Sequence, residues 1–291
     1  MGKVPSMTQA DRIAIVTDST ASLSPADAER EHILVVPLKV IIGAQTFVEG
    51  SAELTSDMIA EALAAFVPVS TSRPTPSEFL AVYAQAAAEG ADHIVSVHLS
   101  SKMSGTFESA QLAAKESAVP VTVVDSQQVG LGVGFAAGRA AAARDAGGDA
   151  AAVAAAAERA GESTTIALYV DTLEYLKRGG RVGSAAALIG SALAVKPILT
   201  LADGMVVPLE KVRTSARALA RVEAIAVAAA QAYEDGYSIG VQHLANDAVA
   251  QQVAQRLADQ LERSSVSVDE VGAAIGAHVG PGMISVTITP L

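Results

Sequence analysis

The chain has 291 residues, 51% of them apolar, and a formal net charge of −11. Length and apolar content supply the core of one large or two ordinary α/β domains, and the acidity argues against nucleic acid or an anionic membrane as partner. There is no cysteine, which excludes disulfides, thiolate metal sites and a Cys nucleophile. There is also no tryptophan, with only five Phe and five Tyr, so stacking platforms for bases are not expected.

The start, Met1 to Gln9, is polar, and no eighteen-residue stretch is uninterruptedly apolar. A cytoplasmic protein without a leader or membrane span is expected. Ile13 to Val16 reads as a strand ending at Thr17-Asp18-Ser19-Thr20, and Ser24-Pro25 opens a short helix with Pro at its first position. Ile33 to Ile42 is apolar but split by Pro37. Gly43-Ala44 turns it back into Gln45 to Val48 as a hairpin. A helix is expected over Ser56 to Phe66, followed by Ser70-Thr71-Ser72-Arg73-Pro74. Thr75-Pro76-Ser77-Glu78 is a capping-box pattern for the next helix, to Glu89. His93 to Leu99 reads as a strand, Thr106 to Ser117 as a helix, and Val121 to Val124 as a strand. Two further helices divide at Gly147-Gly148.

The second half begins near Thr164 with a strand over Thr165 to Val170. Asp171 is the expected cap of a short helix that stops at Lys177-Arg178-Gly179-Gly180-Arg181, and Gly183 to Leu193 reads as another helix. Pro197 to Leu201 and Met205 to Val212 flank Asp203-Gly204, a compact hairpin signal. The remaining pattern is helix Thr214–Tyr233, strand Tyr237–Leu244, helix Asp247–Leu261, strand Val266–Val271, a Gly-rich lead from Gly276 to Gly282, and strand Ile284–Thr289. The fold class is therefore α/β. An N-terminal parallel-sheet domain (residues 12–162) packs on a C-terminal mixed α+β domain (residues 163–291) without a low-complexity linker.

Chemistry concentrates in a few loops. Ser101-Lys102-Met103-Ser104-Gly105-Thr106 leaves a strand and opens a helix. Unpaired first-turn amides and hydroxyls there form a small anion seat that needs no cation. Thr71-Ser72 and Asp18-Ser19 lie where ligands bind parallel sheets, beyond the carboxyl ends of the strands. His278 sits among Gly276, Gly280 and Gly282, which permit close backbone approach. Each has an ordinary structural alternative: an N-cap for Ser104 and Thr106, an ST-turn for Thr71-Ser72, a turn for Asp18, a satisfied core imidazole for His278. Gly130-Leu131-Gly132-Val133-Gly134 is spaced wrongly for a dinucleotide loop, and close helix–sheet packing is its expected role. No phosphate loop, GxSxG turn, HExxH pair or general acid/base couple is present. Lys177, Arg178 and Arg181 make a basic spot that reads either as helix-terminal cations or as a docking point.

In order along nearly the whole chain, from about Ile13 to Thr289, these segments resemble the DegV family. The carrying motifs are Val16-Thr17-Asp18-Ser19-Thr20, Val36-Pro37-Leu38-Lys39-Val40, Thr71-Ser72-Arg73-Pro74-Thr75-Pro76, Ser101-Lys102-Met103-Ser104-Gly105-Thr106, Val124-Asp125-Ser126, Leu173-Glu174-Tyr175-Leu176-Lys177-Arg178-Gly179-Gly180-Arg181, Lys196-Pro197-Ile198-Leu199 and His278-Val279-Gly280-Pro281-Gly282. The resemblance implies a protein that holds one long-chain fatty acid in a tunnel between two domains. It further implies presentation of the acyl carboxyl to a separate ATP-binding fatty acid kinase subunit, for acyl phosphate and phospholipid synthesis. No cofactor and no catalysis by the chain alone are implied. The carboxyl-holding positions it implies are Thr71 or the adjacent Ser72, Ser104 with the Gly105 amide, and His278, with Ser101 and Asp18 as secondary candidates. Arg181 and Arg213 match positions implicated in kinase docking. Phe47 and Glu49 stand where the family pattern leads one to expect Tyr and Asp. The competing readings are a stand-alone hydrolase or phosphotransferase using His278 and Ser104 on a small anionic metabolite, and a lipid-sensing regulator.

Overall fold

Ile13–Asp18 forms strand β1, inside a parallel sheet, in a computed structural model that describes residues 12–189 and 195–291. A 3₁₀ turn follows, then helix α1 (Pro25–Arg30), whose first turn is closed by the Ser24 side chain with Pro25 at its start. Strand β2 (Ile33–Val36) lies parallel to β1. The chain then leaves this sheet at Pro37. Strands β3 (Lys39–Ile42) and β4 (Gln45–Val48) form the expected hairpin about Gly43, which is left-handed at φ +59°. After helix α2 (Ser56–Ala64), strand β5 (Val69–Ser72) pairs antiparallel with β3 and completes a separate three-stranded sheet. The sequence pattern does not show β5 as a strand. Its Ser-Thr-Ser composition has little burial to signal, and what makes it a strand is its partner.

Helix α3 (Pro76–Ala88) starts with the Thr75/Glu78 capping box. Strand β6 (His93–His98), helix α4 (Thr106–Ala114) and strand β7 (Val121–Asp125) return the chain to the first sheet, all parallel in the order β2-β1-β6-β7. β1 and β6 are buried along nearly their whole length, as a parallel sheet covered on both faces requires. Helices α5 (Leu131–Asp145) and α6 (Ala150–Ser163) pack through Ala136, Ala137, Ala140, Val153 and Ala157, so the alanine excess is spent on close helix contacts. Gly134 packs against the Ala21 carbonyl, where a Cβ would fall 2.5 Å from the oxygen. The glycine cluster is thus a packing device, as expected.

The second half contributes β8 (Thr165–Tyr169), α7 (Glu174–Arg178), a 3₁₀ turn at Gly183–Leu188, β9 (Lys196–Ala202), β10 (Met205–Val212), α8 (Ser215–Gln231), β11 (Tyr237–His243), α9 (Asp247–Gln260), β12 (Ser267–Glu270), α10 (Ala273–Val279) and β13 (Ile284–Pro290). Its six strands run in the order β10-β9-β8-β13-β11-β12, with only β11 and β12 parallel, so the α/β architecture expected from the sequence is the one observed. Asp203 and Gly204 are both left-handed, at φ +49° and +72°, as a two-residue hairpin turn demands.

Three expectations are corrected here. Asp171 does not cap α7. Leu173 occupies the cap without a side-chain bond, and Asp171 instead accepts from the Tyr169 hydroxyl and the Lys196 ammonium. The segment read as a helix to Leu193 is a 3₁₀ turn ending at Leu188; residues 190–193 of that reading, like Met1 to Gln9, lie outside the described residues. The Gly-rich lead before the last strand is partly a helix, α10. Gly276 lets it press onto Leu244, with a Cβ position only 3.3 Å from that side chain.

The small sheet belongs by packing to the second half. Leu38, Val40, Ile59 and Leu63 share one core with Val170, Leu176, Leu199, Leu244 and Met283. The β9–β10 hairpin tip reaches back, its Gly204 carbonyl accepting from the Ser100 hydroxyl at 2.6 Å. The loop after β6, strand β5 and helix α10 are thereby brought around one space.

Candidate functional site

That space is an apolar cavity, the kind of concave site that small molecules occupy. Leu38, Leu99, Leu168, Leu176, Leu201, Ile166, Ile275 and Val279 form most of its wall, contributed by both halves of the chain. Its few polar wall residues are Thr20, Thr71, Ser104, Arg181, Thr200 and His278. A second, smaller chamber shares Val129, Ile166, Leu168, Ile275 and Val279 with the first and extends toward β13 and β11. The two together make an elongated apolar space with a polar head.

The head is assembled from three distant segments. Thr71 stands on β5 opposite Val40. Its Oγ1 lies 2.9 Å from Nε2 of His278, in the last turn of α10. Burial, with Arg181 nearby, pushes the His278 imidazole down to about 4, so the ring is neutral at physiological pH. Nδ1 is buried and has no partner among the described residues. An unpartnered lone pair is less costly than an unpartnered N–H, which favours the tautomer with hydrogen on Nε2. His278 then donates to Thr71, and the Thr71 hydroxyl is free to donate into the cavity. Ser104 leads into α4: its Oγ accepts from the Thr106 amide at 3.3 Å and pairs with the Thr106 hydroxyl at 2.9 Å. Gly105 holds the α4 cap position with no side-chain bond, so the cap is open.

Gly179 explains part of this geometry. It lies in the ordinary helical region at φ −73°, so no conformational demand calls for glycine there. A Cβ at that position would overlap Nδ1 of His278. Gly179→Ala is therefore expected to displace the imidazole and weaken ligand binding several-fold, by less than about 10-fold, while leaving α7 intact. A ligand-binding titration beside a thermal melt checks this, and equal binding by wild type and variant contradicts it.

Helix α10 is itself anchored by Glu49, at the end of the β3–β4 hairpin. One carboxylate oxygen accepts from the Ala274 amide at 2.7 Å and the other from the Ser19 hydroxyl at 2.5 Å. Ser19 Oγ in turn accepts from the Leu38 amide. Burial pushes the Glu49 carboxyl up, opposed by the hydrogen bonds from Ala274 and Ser19, and the Asp18 charge adds to the rise. The residue noted only as a departure from the family pattern thus supports the helix that carries His278.

Other sequence-derived candidates fall elsewhere. Asp18 does not reach the cavity. It is wholly buried behind it, accepting from the Thr20 amide and hydroxyl on one oxygen and from His98 Nδ1 and the Leu99 amide on the other. Its effect is to hold Thr20, which does line the wall. His98 Nε2 continues to Ser96 at 2.7 Å, and Ser96 takes the Tyr83 hydroxyl at 2.9 Å. This acid–imidazole–hydroxyl chain has the connectivity of a hydrolase triad, but all of its members are buried with no exposed surface. Ser101 and Ser72 are not wall residues either: the Ser101 amide binds the Asp125 carboxylate, and Ser72 Oγ bonds the Arg73 carbonyl. Of the two serines, Ser104 is the one at the cavity. A Cβ on Gly105 would overlap the Arg73 guanidinium, which lies across that turn.

Arg181, expected on a docking surface, also lines the cavity head. Its Nε donates to the Met103 carbonyl at 3.0 Å and its guanidinium also reaches the Gly179 carbonyl. Arg213, Lys177 and Arg178 remain exposed, with Arg178 over the exposed Phe66 ring at 5.8 Å. Thr20, Glu49 and Gly179 were not legible as site residues. Their roles depend on contacts with residues far along the chain, and no local pattern encodes those.

The fold is α/β, and it encloses a mostly apolar cavity with a few polar groups in its wall. A family model described as "Uncharacterised protein, DegV family" matches residues 12–291. A DegV domain-containing protein of Streptomyces coelicolor is 47% identical over 278 residues, covering 95% of this chain and 98% of the relative. One from Deinococcus radiodurans is 35% identical over 280 residues, covering 96% and 99%. The chain belongs to the DegV family. Among solved structures it is similar to a fatty-acid-binding DegV family protein of Thermus thermophilus (TM-score 0.88, 36% identity, 96% of this chain and 100% of the other). It is also similar to DegV, a fatty acid binding protein from Bacillus subtilis (TM-score 0.87, 30% identity, 97% and 100%). No helix of the described residues is long and apolar enough to cross a membrane.

Proposed function

We propose that this protein binds one long-chain fatty acid, with the acyl chain in the two-chambered cavity and the carboxylate at Thr71, Ser104, the Gly105 amide and His278. The observation that carries the reading is the wall itself: a mostly apolar space with Thr71, Ser104, His278 and the Arg181 guanidinium gathered at one end. Burying the chain gains ~0.8 kcal/mol per methylene before costs. Affinity therefore comes from the tail, and neutral donors suffice to orient the head. Arg181 adds one positive charge whose own hydrogen bonds to Met103 and Gly179 keep it in place beside the head group. The solved relatives from Thermus thermophilus and Bacillus subtilis, described as fatty acid binding, support the same ligand class.

On this reading the carboxylate is offered for transfer rather than stored. The protein acts in the cytoplasm as the acyl-presenting partner of a separate ATP-dependent kinase subunit, which makes an acyl phosphate for phospholipid synthesis. Arg213, together with Lys177 and Arg178, is the basic surface for that partner. Reconstitution with a bacterial fatty acid kinase subunit, ATP and labelled oleate tests this. Acyl phosphate should form only with both proteins present, and Arg213→Glu should raise the concentration of kinase needed for half-maximal rate several-fold without changing bound lipid. Turnover by this chain alone, or no turnover with any kinase subunit while oleate is bound, contradicts the presenting role.

A further inference from the structure

The inner chamber of the cavity does not end in hydrocarbon. Its floor is the second-half sheet, crossed by two rows in register: Gln242, Ser285 and Leu168 in one, and Gly240, Thr287 and Ile166 in the other. The apolar members lie on β8, under both chambers, whereas the polar members on β13 and β11 line only the inner one. Gln242 is 2% exposed and Thr287 1%. The Gln242 carbonyl oxygen accepts from the Leu131 amide, the first residue of α5, at 3.0 Å. A backbone N–H only donates, so this bond sets which way the side-chain amide faces. Nε2 is then a buried donor, and it has no acceptor among the described residues. Such orphans are rare in native interiors and call for a missing partner. No charged side chain lines this chamber, so a second carboxylate would be buried without a counter-charge. A hydroxyl fits better, because it can accept from Gln242 while exchanging hydrogen bonds with Ser285 and Thr287.

We propose that the inner chamber is a hydrogen-bonding seat for a hydroxyl carried on the distal part of the acyl chain, so that the protein accepts hydroxylated long-chain fatty acids as well as plain ones. This rests on the fatty-acid reading above. An all-apolar tunnel end would penalise a buried hydroxyl steeply, and that contrast makes the proposal testable. Delipidated protein is titrated with palmitic acid and with hexadecanoic acids hydroxylated at successive positions along the distal half. At one or more positions the hydroxy acid should bind as tightly as palmitic acid or up to about 10-fold tighter. Gln242→Leu should weaken that hydroxy acid about 10-fold relative to palmitic acid. Because Gln242→Leu also leaves the Leu131 amide without its acceptor, the double variant Ser285→Ala, Thr287→Val provides a second reading, with the same selective loss expected. Palmitic acid bound tightly and every hydroxy isomer at least 10-fold weaker overturns the seat alone, as does a hydroxyl preference unchanged in both variants. That second result would mean a resident water fills the chamber. Failure of palmitic and hydroxy acids alike overturns the fatty-acid reading and the seat with it.

Discussion

Thr71→Ala, Ser104→Ala and His278→Ala should each cut acyl phosphate formation by a kinase partner far more than they reduce bound lipid. The division follows from where the binding energy lies. More than ten buried methylenes at ~0.8 kcal/mol each dominate retention, whereas each head-group hydrogen bond contributes ~0.5–1.5 kcal/mol, and ~3 where a charged acceptor is left unsatisfied. Retention should therefore fall by less than about 10-fold, and turnover by about 10- to 100-fold, since a carboxylate held slightly out of line loses the orientation that transfer needs. His278→Ala should have the largest effect because it also frees Thr71 from the contact that aims its hydroxyl. Normal kinase turnover in all three variants contradicts the assigned head group. Ser104 also supports the Thr106 amide at the start of α4, so its variant is read together with a thermal melt.

Val129→Trp should shorten the ligand the protein can hold. Val129 is one of the residues that line both chambers, so added bulk there closes the passage between them. Excluding about six methylenes forfeits ~5 kcal/mol, a loss of more than 1,000-fold in palmitate affinity. Octanoate, which needs only the outer chamber, should bind within a few-fold of its wild-type value. Retained octanoate binding also reports that the fold has survived the larger side chain. Equal loss of both acids, or unaltered palmitate binding, contradicts a ligand that runs from one chamber into the other.

The parts of this molecule legible in its sequence are those with a local signature. Period-two and continuous apolar runs give β1, β6, β11 and β13, and capping residues give α1 and α3. The loop from Ser101 to Thr106 announces an open helix start before any contact is known. His278 is identifiable by its Gly-rich setting, and both it and Thr71 by the motifs they share with a family. The parts that were not legible depend on distance along the chain. Glu49 matters because its carboxylate meets the Ala274 amide, 225 positions away. Gly179 matters because an imidazole occupies the place of its missing side chain, and Gln242 because its neighbours in the sheet come from β13. The place of Arg181 in the cavity wall was hidden for a related reason. A cation after a short helix has the same local pattern whether it faces solvent or folds back over a cavity, and only the Met103 carbonyl tells the two apart. Strand β5 and helix α10 are likewise defined by what they pack against.

The most direct measurement is the mass of the intact purified protein under native ionisation, followed by extraction and identification of whatever is released. The expected result is a chain heavier by a single saturated or mono-unsaturated fatty acid, which is lost on delipidation and restored by added palmitate or oleate at one equivalent per chain. A protein that carries no fatty acid as purified, and takes up neither palmitate nor oleate after delipidation while still folded, contradicts the account.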